Sequence, residues 1–418
     1  MSKKSARKTG LLKRSTNYKI PLFVSGQGQN KYTNIYDDWT NVERFFFPQK
    51  DHEGYFGLFG KPFFRIFTDR ITQEKYYFPI IVSISGISSV IGQHILIPGS
   101  VLNDIQQKKC KILVVCPYEG WNWHYWQDLI DTIIDKYSSL SSDDFVVING
   151  NLSKNTTIKS VYFNFFERQT MYEDLNSFQY AGTDKILEGD SREHKFLYLN
   201  RRPHHFRIAA VSLLYSKRHQ GLMSLGLNGQ MGDNYFENQE TIFKTQLPTI
   251  YKTYQNINLK KSLPLVIKDG IDAETENPVI DKRVDKFYNS YLHIVAETYQ
   301  DYSIDRSFFS EKIFKPIMFM QPFVIVGEAF ALQNLKSLGY ATFDKFIDES
   351  YDTITNNEQR MYACIKSAKD FFNKPSKELD NILIEMLPIL THNICHLQYR
   401  CQTYDLSIKH QLLDLLHD

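Results

Sequence analysis

Short apolar runs alternate with amphipathic stretches through the middle of the chain. Residues 111–116 and 145–148 are runs of the kind that buried parallel strands show, and 161–166 is a third. Between the first two, residues 123–137 repeat apolar positions at helical spacing, with Trp126 and Leu129 on the same side. Strands that alternate with helices in this way predict a parallel, doubly wound sheet.

A second series of the same kind begins at residue 195. Its predicted elements are a strand at 195–199, a helix at 204–217, strands at 222–226 and 290–296, a helix at 311–320 and a strand at 323–326. From residue 357 the pattern is helical, with predicted interruptions at 374–376 and at Pro388. We therefore expect an α/β fold of two doubly wound, Rossmann-like domains with a helical C-terminus, the architecture called GT-B.

The polar, glycine-containing stretch at 180–195 marks the expected domain boundary. We expect a basic flexible tail at 1–19, a first domain at 20–188, a second domain at 189–374, and C-terminal helices at 375–418 that can cross back to the first domain. Residues 20–100 read as strand-rich, with β-type runs at 45–47 and 76–84. A chain of 418 residues is too long for one ordinary core, which also favours two domains.

The net charge of +2 gives no overall attraction to nucleic acid or membrane. The first nineteen residues are nevertheless basic, and the first acidic residue is Asp37. Their seven cations are Lys3, Lys4, Arg7, Lys8, Lys13, Arg14 and Lys19. This segment is either a solvated tail or a tether to a polyanion such as DNA or an acidic glycan.

The five cysteines form no CxxC pair and no zinc pattern, and so sparse a set is typical of reduced thiols. The start of the sequence lacks the apolar core of a signal peptide, and no run reaches about 18 apolar residues. We expect a soluble, cytoplasmic protein without a membrane span.

Charged residues follow two of the predicted strands directly. Arg201 and Arg202 lie between the strand at 195–199 and the next helix, and Glu297 follows the strand at 290–296. Ligands of parallel sheets bind beyond the carboxyl ends of the strands. The two arginines are therefore candidates for a diphosphate site, and Glu297 for an acceptor of sugar hydroxyls. A basic surface loop and a helix cap or salt bridge are the alternatives.

The predicted helix at 311–320 opens with an acid–base pair. Ser310 can cap this helix, and Glu311 can accept hydrogen bonds from the two hydroxyls of a ribose. Lys312 or Lys315 can reach a phosphate, and the helix N-terminus itself attracts anions. Ser-Glu-Lys alone is a common helix start, but together with the upstream arginines it predicts a nucleotide-sugar site.

The first domain offers candidates for the acceptor side. An inverting transfer needs a general base, and Glu119 follows the strand at 111–116, with His124 as the second candidate. Both also fit structural roles. Three tryptophans, Trp121, Trp123 and Trp126, cluster there, and aromatic faces stack on sugars. No Asp-x-Asp occurs, so a metal bridging a diphosphate is not indicated, and arginine and lysine can neutralise the leaving group instead.

The segment at 291–327 resembles the donor region of α1,3-fucosyltransferases and exostosin-like enzymes. Those proteins carry an apolar strand ending in Phe-Glu-Asn, then Thr-Glu-Lys opening a helix, then a Val-Pro-Val strand. The resemblance implies a GT-B fold with Glu297 as the acid after the strand, Glu311 as the ribose ligand and Lys312 as a phosphate ligand. It also implies a basic residue upstream on the diphosphate, a role for Arg201 or Arg202. Thr298 stands where the family has Asn.

The pattern Ser-Glu-Lys-x-x-Lys-Pro-Ile, followed by Leu-Gly-Tyr-x-Thr-Phe at 338–343, looks like glycosyltransferases of large viruses and phages, some of which modify DNA bases. We therefore expect an inverting, metal-independent glycosyltransferase, with retaining chemistry as the alternative, a nucleotide-diphosphate sugar as co-substrate and no cofactor. The acceptor would be a hydroxyl of a glycan or protein, or a hydroxylated base of viral DNA, with a host-cytoplasmic location in the viral case. The alternative from another class is an inactive nucleotide- or glycan-binding module.

Overall fold

The computed structural model describes residues 20–23, 64–67, 74–82, 92–93, 95–116, 120–153, 157–170, 173–189, 191–227, 234–257, 259–265, 267, 284–301, 303 and 306–418. These residues form two compact units. Unit 1 comprises the described residues of 1–172, 304–308 and 400–418, and unit 2 those of 173–303 and 309–399. The predicted tail at 1–19 and the predicted strand at 45–47 lie outside the described residues.

Unit 1 is built on a six-stranded parallel sheet. Its strands are β1 (Ile20–Phe23), β2 (Phe64–Phe67), β3 (Tyr76–Ile81), β4 (Cys110–Cys116), β5 (Phe145–Asn149) and β6 (Ser160–Tyr162). They are arranged in the order β2-β1-β3-β4-β5-β6, and each neighbouring pair is parallel. β5 is fully buried and β4 nearly so, as expected of strands covered on both faces.

Helices cover both faces of this sheet. On one face, α1 (Gly99–Gln106) and α2 (Trp123–Lys136) bury a shared apolar cluster, to which α2 contributes Trp126 and Leu129. The other face buries α3 (Phe165–Gln169) together with Tyr404, Ile408 and other residues near the C-terminus. This packing places the carboxyl ends of β4 and β5 at one edge of the unit.

Unit 2 contains a four-stranded parallel sheet, formed by β7 (Leu197–Tyr198), β8 (Leu222–Met223), β9 (His293–Ala296) and β10 (Phe323–Val326) in the order β10-β9-β7-β8. Its helices are α4 (Leu175–Leu187), α5 (His205–Leu214), α6 (Tyr235–Gln246), α7 (Pro248–Ile257), α8 (Val284–Tyr288), α9 (Glu311–Met318), α10 (Ala331–Ser337) and α11 (Asn357–Phe372). α9 connects β9 to β10 in a β-α-β unit, so its first turn lies at the carboxyl end of β9.

The last helix, α12 (Ser376–His417), is continuous over 42 residues. Its residues up to 399 belong to unit 2, and those from 400 belong to unit 1. α4 belongs to unit 2, although the sequence analysis assigns it to the first domain. Among the described residues, no helix combines the length and apolarity that crossing a membrane requires.

The prediction of an α/β protein with parallel sheets and a helical C-terminus is confirmed. Two local predictions were wrong. Phe165 and Phe166 begin α3 rather than continuing the strand at 161–166. Pro388 lies inside α12 without ending it. The lost hydrogen bond there is offset by burial before and after the proline, at Leu383, Met386, Leu390 and Ile394.

Candidate functional site

The candidate site lies at the carboxyl edge of the sheet in unit 2. β7 pairs with β9 in parallel, with Leu197 opposite His293, so both strands end at the same edge. Asn200 follows β7, and its backbone N–H donates to Ser224 Oγ at 3.0 Å, which fixes the loop that continues into Arg201. Glu297 follows β9. Parallel strands end at the same edge of their sheet. The predicted donor-binding residues on these two loops therefore lie at one edge.

Glu297 is only 2% exposed, and its two carboxylate oxygens differ in their hydrogen bonding. Oε2 accepts from Ser310 Oγ at 2.5 Å, from Ser310 N at 3.2 Å and from Thr298 N at 3.1 Å. Oε1 is buried and has no hydrogen-bond partner within the described residues. Burial raises the pKa of Glu297, against the lowering effect of Lys312 and of the bonds from Ser310. Oε1 is therefore an acceptor that a ligand hydroxyl can satisfy.

Lys312 connects the elements of the site. Its Nζ lies 2.9 Å from Glu311 Oε1, 3.0 Å from Ser310 Oγ and 3.3 Å from Thr298 Oγ1, and its side chain is 23% exposed. Ser310 also caps α9 as the sequence predicts, although its oxygen accepts from Lys312 N at a long 3.4 Å. An ammonium group has three donors, and all three are used here by protein oxygens. A phosphate would have to displace one of them.

Of the two predicted arginines, Arg201 interacts electrostatically with Glu311 at the start of α9, and Arg202 acts on Arg201. The pKa of Arg201 is lowered by burial and by the charge of Arg202, and it is raised by Glu311. No hydrogen bond or ion pair of the Arg201 side chain is found among the described residues, and Arg202 Nε is buried without a partner. Both guanidinium groups therefore retain donors for an anion.

Arg207 is a third arginine of this cluster, and the sequence analysis missed it. It lies in the first turn of α5, is 6% exposed, and donates through Nη1 to the carbonyl of Arg202 at 3.3 Å. Its Nε has no partner in the described part of the chain. Burial lowers the pKa of Arg207, whereas nearby groups, among them Glu311, raise it. A cation in the first turn of a helix opposes the helix dipole, and this was the available sequence signal.

His204 precedes α5 and lies among the same charges. Its Nδ1 is 2.6 Å from the hydroxyl of Tyr235, and its ring stacks on Phe206 with centroids 5.6 Å apart. Burial, together with the charges of Arg207 and Arg202, lowers the pKa of His204 to about 3. The imidazole is therefore neutral at physiological pH.

The charge of Lys315 acts on a residue outside this cluster. It lies one turn beyond Glu311, and its charge acts on His293, at the start of β9, where it contributes to the low pKa of that residue after burial. Glu297 lies at the opposite end of the same strand. The contacts and charge interactions described above connect Arg201, Arg202, Glu297, Ser310, Glu311 and Lys312, and the effect of Lys315 described here falls on His293.

The candidate acceptor residues belong to unit 1. Glu119 lies outside the described residues. His124 is exposed in the first turn of α2, and its ring packs 4.0 Å from that of Tyr125. Trp121 packs edge-on against Tyr125, and its carbonyl accepts from Asn151 Nδ2 at 3.0 Å, which ties it to the loop after β5. An aromatic surface therefore adjoins the carboxyl edge of this sheet.

Glu297 gives a pH-dependent prediction. Because its pKa is raised in the folded protein, it stabilises the fold below its unfolded pKa of about 4.3, and this contribution is lost as the pH rises through the folded value. Glu297→Gln should therefore raise the melting temperature at pH 8 more than at pH 5. It should also lower the affinity for any ligand that hydrogen-bonds to the carboxylate. Differential scanning calorimetry at both pH values is the measurement. A lower melting temperature at pH 8 would contradict the assignment.

Within the described residues, no cluster of three or more histidine, cysteine, aspartate or glutamate side chains suited to a metal ion is found. A comparison with protein-family models and with curated proteins finds no match to the chain.

Proposed function

We propose that the protein is a GT-B glycosyltransferase that moves a sugar from a nucleotide-diphosphate donor to a hydroxyl acceptor. Two units with parallel sheets and a C-terminal helix whose residues belong to both units are compatible with this architecture. The proposal rests mainly on one observation. Arg201 and Arg207 are both within electrostatic range of Glu311, whose carboxylate contacts Lys312.

The side chains of this cluster suit the separate parts of a nucleotide-sugar donor. Arg202 Nε has no hydrogen-bond partner within the described residues. The guanidinium groups of Arg201 and Arg202 would bind the diphosphate, because guanidinium binds phosphate oxygens in a bidentate manner. Glu311 would accept from the ribose hydroxyls, and Glu297 Oε1 from a hydroxyl of the sugar. Since Lys312 already binds three protein oxygens, we assign to it first the positioning of Glu311 and Ser310, and contact with phosphate only after a bond is exchanged.

The balance of charge supports a dianionic ligand. Arg201, Arg202, Arg207 and Lys312 are four cations, and they outnumber the two carboxylates of Glu297 and Glu311. Burial of part of this cluster strengthens its attraction for an anion, because charges are less screened there. A diphosphate diester carries two negative charges and would neutralise the excess.

In the proposed reaction the acceptor oxygen bonds to the anomeric carbon while the bond from that carbon to the diphosphate breaks. The diphosphate leaves with the electron pair, and the arginines stabilise its charge, which needs no metal. The acceptor proton passes to a base, for which Glu119 and His124 are the candidates. A retaining route needs no such base, and the anomeric configuration of the product separates the two routes.

A nucleotide-binding module without transferase activity is the second candidate. The specific observation in its favour is that all three donors of Lys312 are engaged by protein oxygens. Slow hydrolysis of the sugar donor by the purified protein would exclude this candidate. Nucleotide binding with neither hydrolysis nor transfer would favour it.

Nucleoside diphosphates and their sugars should raise the melting temperature of the protein, because a ligand that binds only the folded state stabilises it. At a ligand concentration 100 times the dissociation constant, the free energy of unfolding rises by about 2.7 kcal/mol. A thermal-shift screen of uridine, guanosine, cytidine and thymidine diphosphates with their sugars measures it. Arg201→Ala should lose the shift, and Arg218→Ala, an exposed arginine after α5, should keep it.

The nucleotide sugar selected by this screen then serves in a transfer assay with glycan, protein and hydroxymethylated duplex DNA acceptors. The basic residues of 1–19 make DNA the second acceptor class to be compared. No thermal shift with any nucleotide would refute the proposed donor site.

A further inference from the structure

The first turn of α5 carries an unusual distribution of charge. A helix N-terminus has a partial positive charge and favours acidic residues, yet this turn contains none. It holds His205 and Arg207 instead, and His204 and Arg202 precede it. Placing cations there is unfavourable unless an anion shares the site.

The position of Arg207 supports an anion site. Its guanidinium turns back toward the start of α5, because Nη1 donates to the carbonyl of Arg202. The side chain is nearly fully buried, and Nε is unpaired within the described residues. Removing a guanidinium from water costs free energy. Among the described residues, this long hydrogen bond, the ring of Phe206 at 5.4 Å and the charge of Glu311 offset that cost only in part, because Nε has no hydrogen-bond partner there. An oxyanion that accepts from Arg207 and Arg202 would satisfy both unpaired Nε groups.

His204 is the residue immediately before this turn, and its ring can exist in two protonation states. The hydroxyl of Tyr235, on α6, can donate to Nδ1 of the neutral ring and accept from it after protonation, because a hydroxyl group does both. The charged groups that act on the ring are Arg202, His205, Arg207 and, from α9, Lys312. All of them are cationic or can become so, which keeps the free ring neutral.

We propose that Arg202, Arg207 and His204 form an oxyanion subsite for one phosphate group, and that His204 takes up a proton when a dianion occupies it. The natural ligand, a phosphate of the sugar donor, rests on the proposed function. The existence of the subsite does not, because any tetrahedral dianion of similar size tests it.

The direction of the coupling follows from electrostatics. Burial and the surrounding cations lower the pKa of His204 to about 3 in the free protein, so the ring is neutral between pH 5 and 8. A dianion beside the ring raises that pKa, because an opposite charge favours the protonated form. Binding then consumes a proton, and the affinity increases as the pH falls below the pKa of the bound state, until it levels off near the pKa of the free ring.

Sulfate is the appropriate probe, since it stays dianionic from pH 5 to 8 and its binding requires no sugar donor. We expect sulfate to bind the full-length protein on the order of tenfold more tightly at pH 5.5 than at pH 7.5, measured by isothermal titration calorimetry. Arg207→Gln should weaken binding at both pH values by roughly 10- to 100-fold. His204→Gln should weaken binding at pH 7.5 by at most about tenfold and should remove the gain at pH 5.5.

Three controls make the result specific. Glu297, whose pKa is raised by burial, also gains a proton as the pH falls, so His204→Gln is measured again in a Glu297→Gln background. Arg207→Lys keeps the positive charge but loses the planar guanidinium with its paired donors, so its affinity for sulfate should be intermediate. This variant tests the subsite if Arg207→Gln fails to fold. Arg218→Ala should bind as the wild type does.

The outcomes separate this inference from the proposed function. Absence of sulfate binding, or unchanged binding in both Arg207 variants, overturns the subsite even if nucleotide sugars bind. An undiminished pH dependence in His204→Gln overturns the proton uptake. Sulfate binding with the expected pH dependence but no response to any nucleotide sugar supports the subsite and refutes the transferase assignment.

Discussion

Arg202→Ala should reduce sugar transfer by about 10²- to 10³-fold, the usual cost of losing one donor to a developing anion. The stability of the folded protein should not fall, because Arg202 Nε bonds to no described group. The charge of Arg202 also disfavours the protonated forms of Arg201, His204 and Arg207. Removing a repelling cation is expected to leave the melting temperature equal or slightly higher. Initial rates with the donor selected by the thermal screen, together with calorimetry, measure both effects.

The opposite signs of the two effects make this prediction specific. If Arg202 only packed in a surface loop, its removal would change neither quantity. If it held the loop in place, activity and stability would fall together. Arg218→Ala is the matched control. Within the described residues, this exposed guanidinium donates only to the Tyr215 carbonyl, at 3.0 Å, and it stacks on the Tyr215 ring. Wild-type activity in Arg202→Ala would contradict the assignment of the diphosphate site.

The strands were the most predictable part of the fold. The predicted strand at 323–326 coincides with β10, and the one at 145–148 is one residue shorter than β5. Both are short apolar runs that are buried on both faces, so sequence and burial carry the same information. Phe165 and Phe166 continue such a run in the sequence but begin a helix, because Asn164 accepts from Glu167 N and caps it. Local capping there outweighs the apolar pattern.

The location of a candidate site residue could be predicted where its position relative to a strand end or a helix start decides it. Arg201, Glu297 and Glu311 were inferred from strand ends and a helix start, and parallel topology brings such positions to one edge. Arg207 was missed because its interest lies in its burial and its unpaired Nε, which depend on tertiary packing. The hydrogen bonds of Lys312 Nζ to Thr298, Ser310 and Glu311 could not be predicted from the sequence either. Thr298 is fourteen positions away from Lys312, and only the tertiary fold brings them together.

Arg360→Met should destabilise unit 2 more than any of the site variants. Arg360, on α11, is 3% exposed, and its guanidinium donates to the carbonyls of Gly327, Gln300, Ile354 and Thr355 and to Asn357 Oδ1. Gly327 follows β10, and Gln300 lies in the loop after β9. Methionine would fill much of the volume but leave several buried carbonyls unpaired. We expect a loss of about 3–5 kcal/mol, or roughly 6–20 °C in the melting transition of that unit.

The same substitution tests how the site is held. Gln300 donates from Nε2 to the carbonyl of Val326 at 2.8 Å, so Arg360 and Gln300 together fix the loop that starts at Glu297. Nucleotide binding should therefore weaken in Arg360→Met even below its melting temperature. Lys366→Ala, which removes an exposed ion pair with Asp370 on the same helix, should change stability by less than about 0.5 kcal/mol. Equal stability of the two variants would show that the carbonyls around Arg360 find other partners, and the loop after β9 would then owe its position to its own bonds alone.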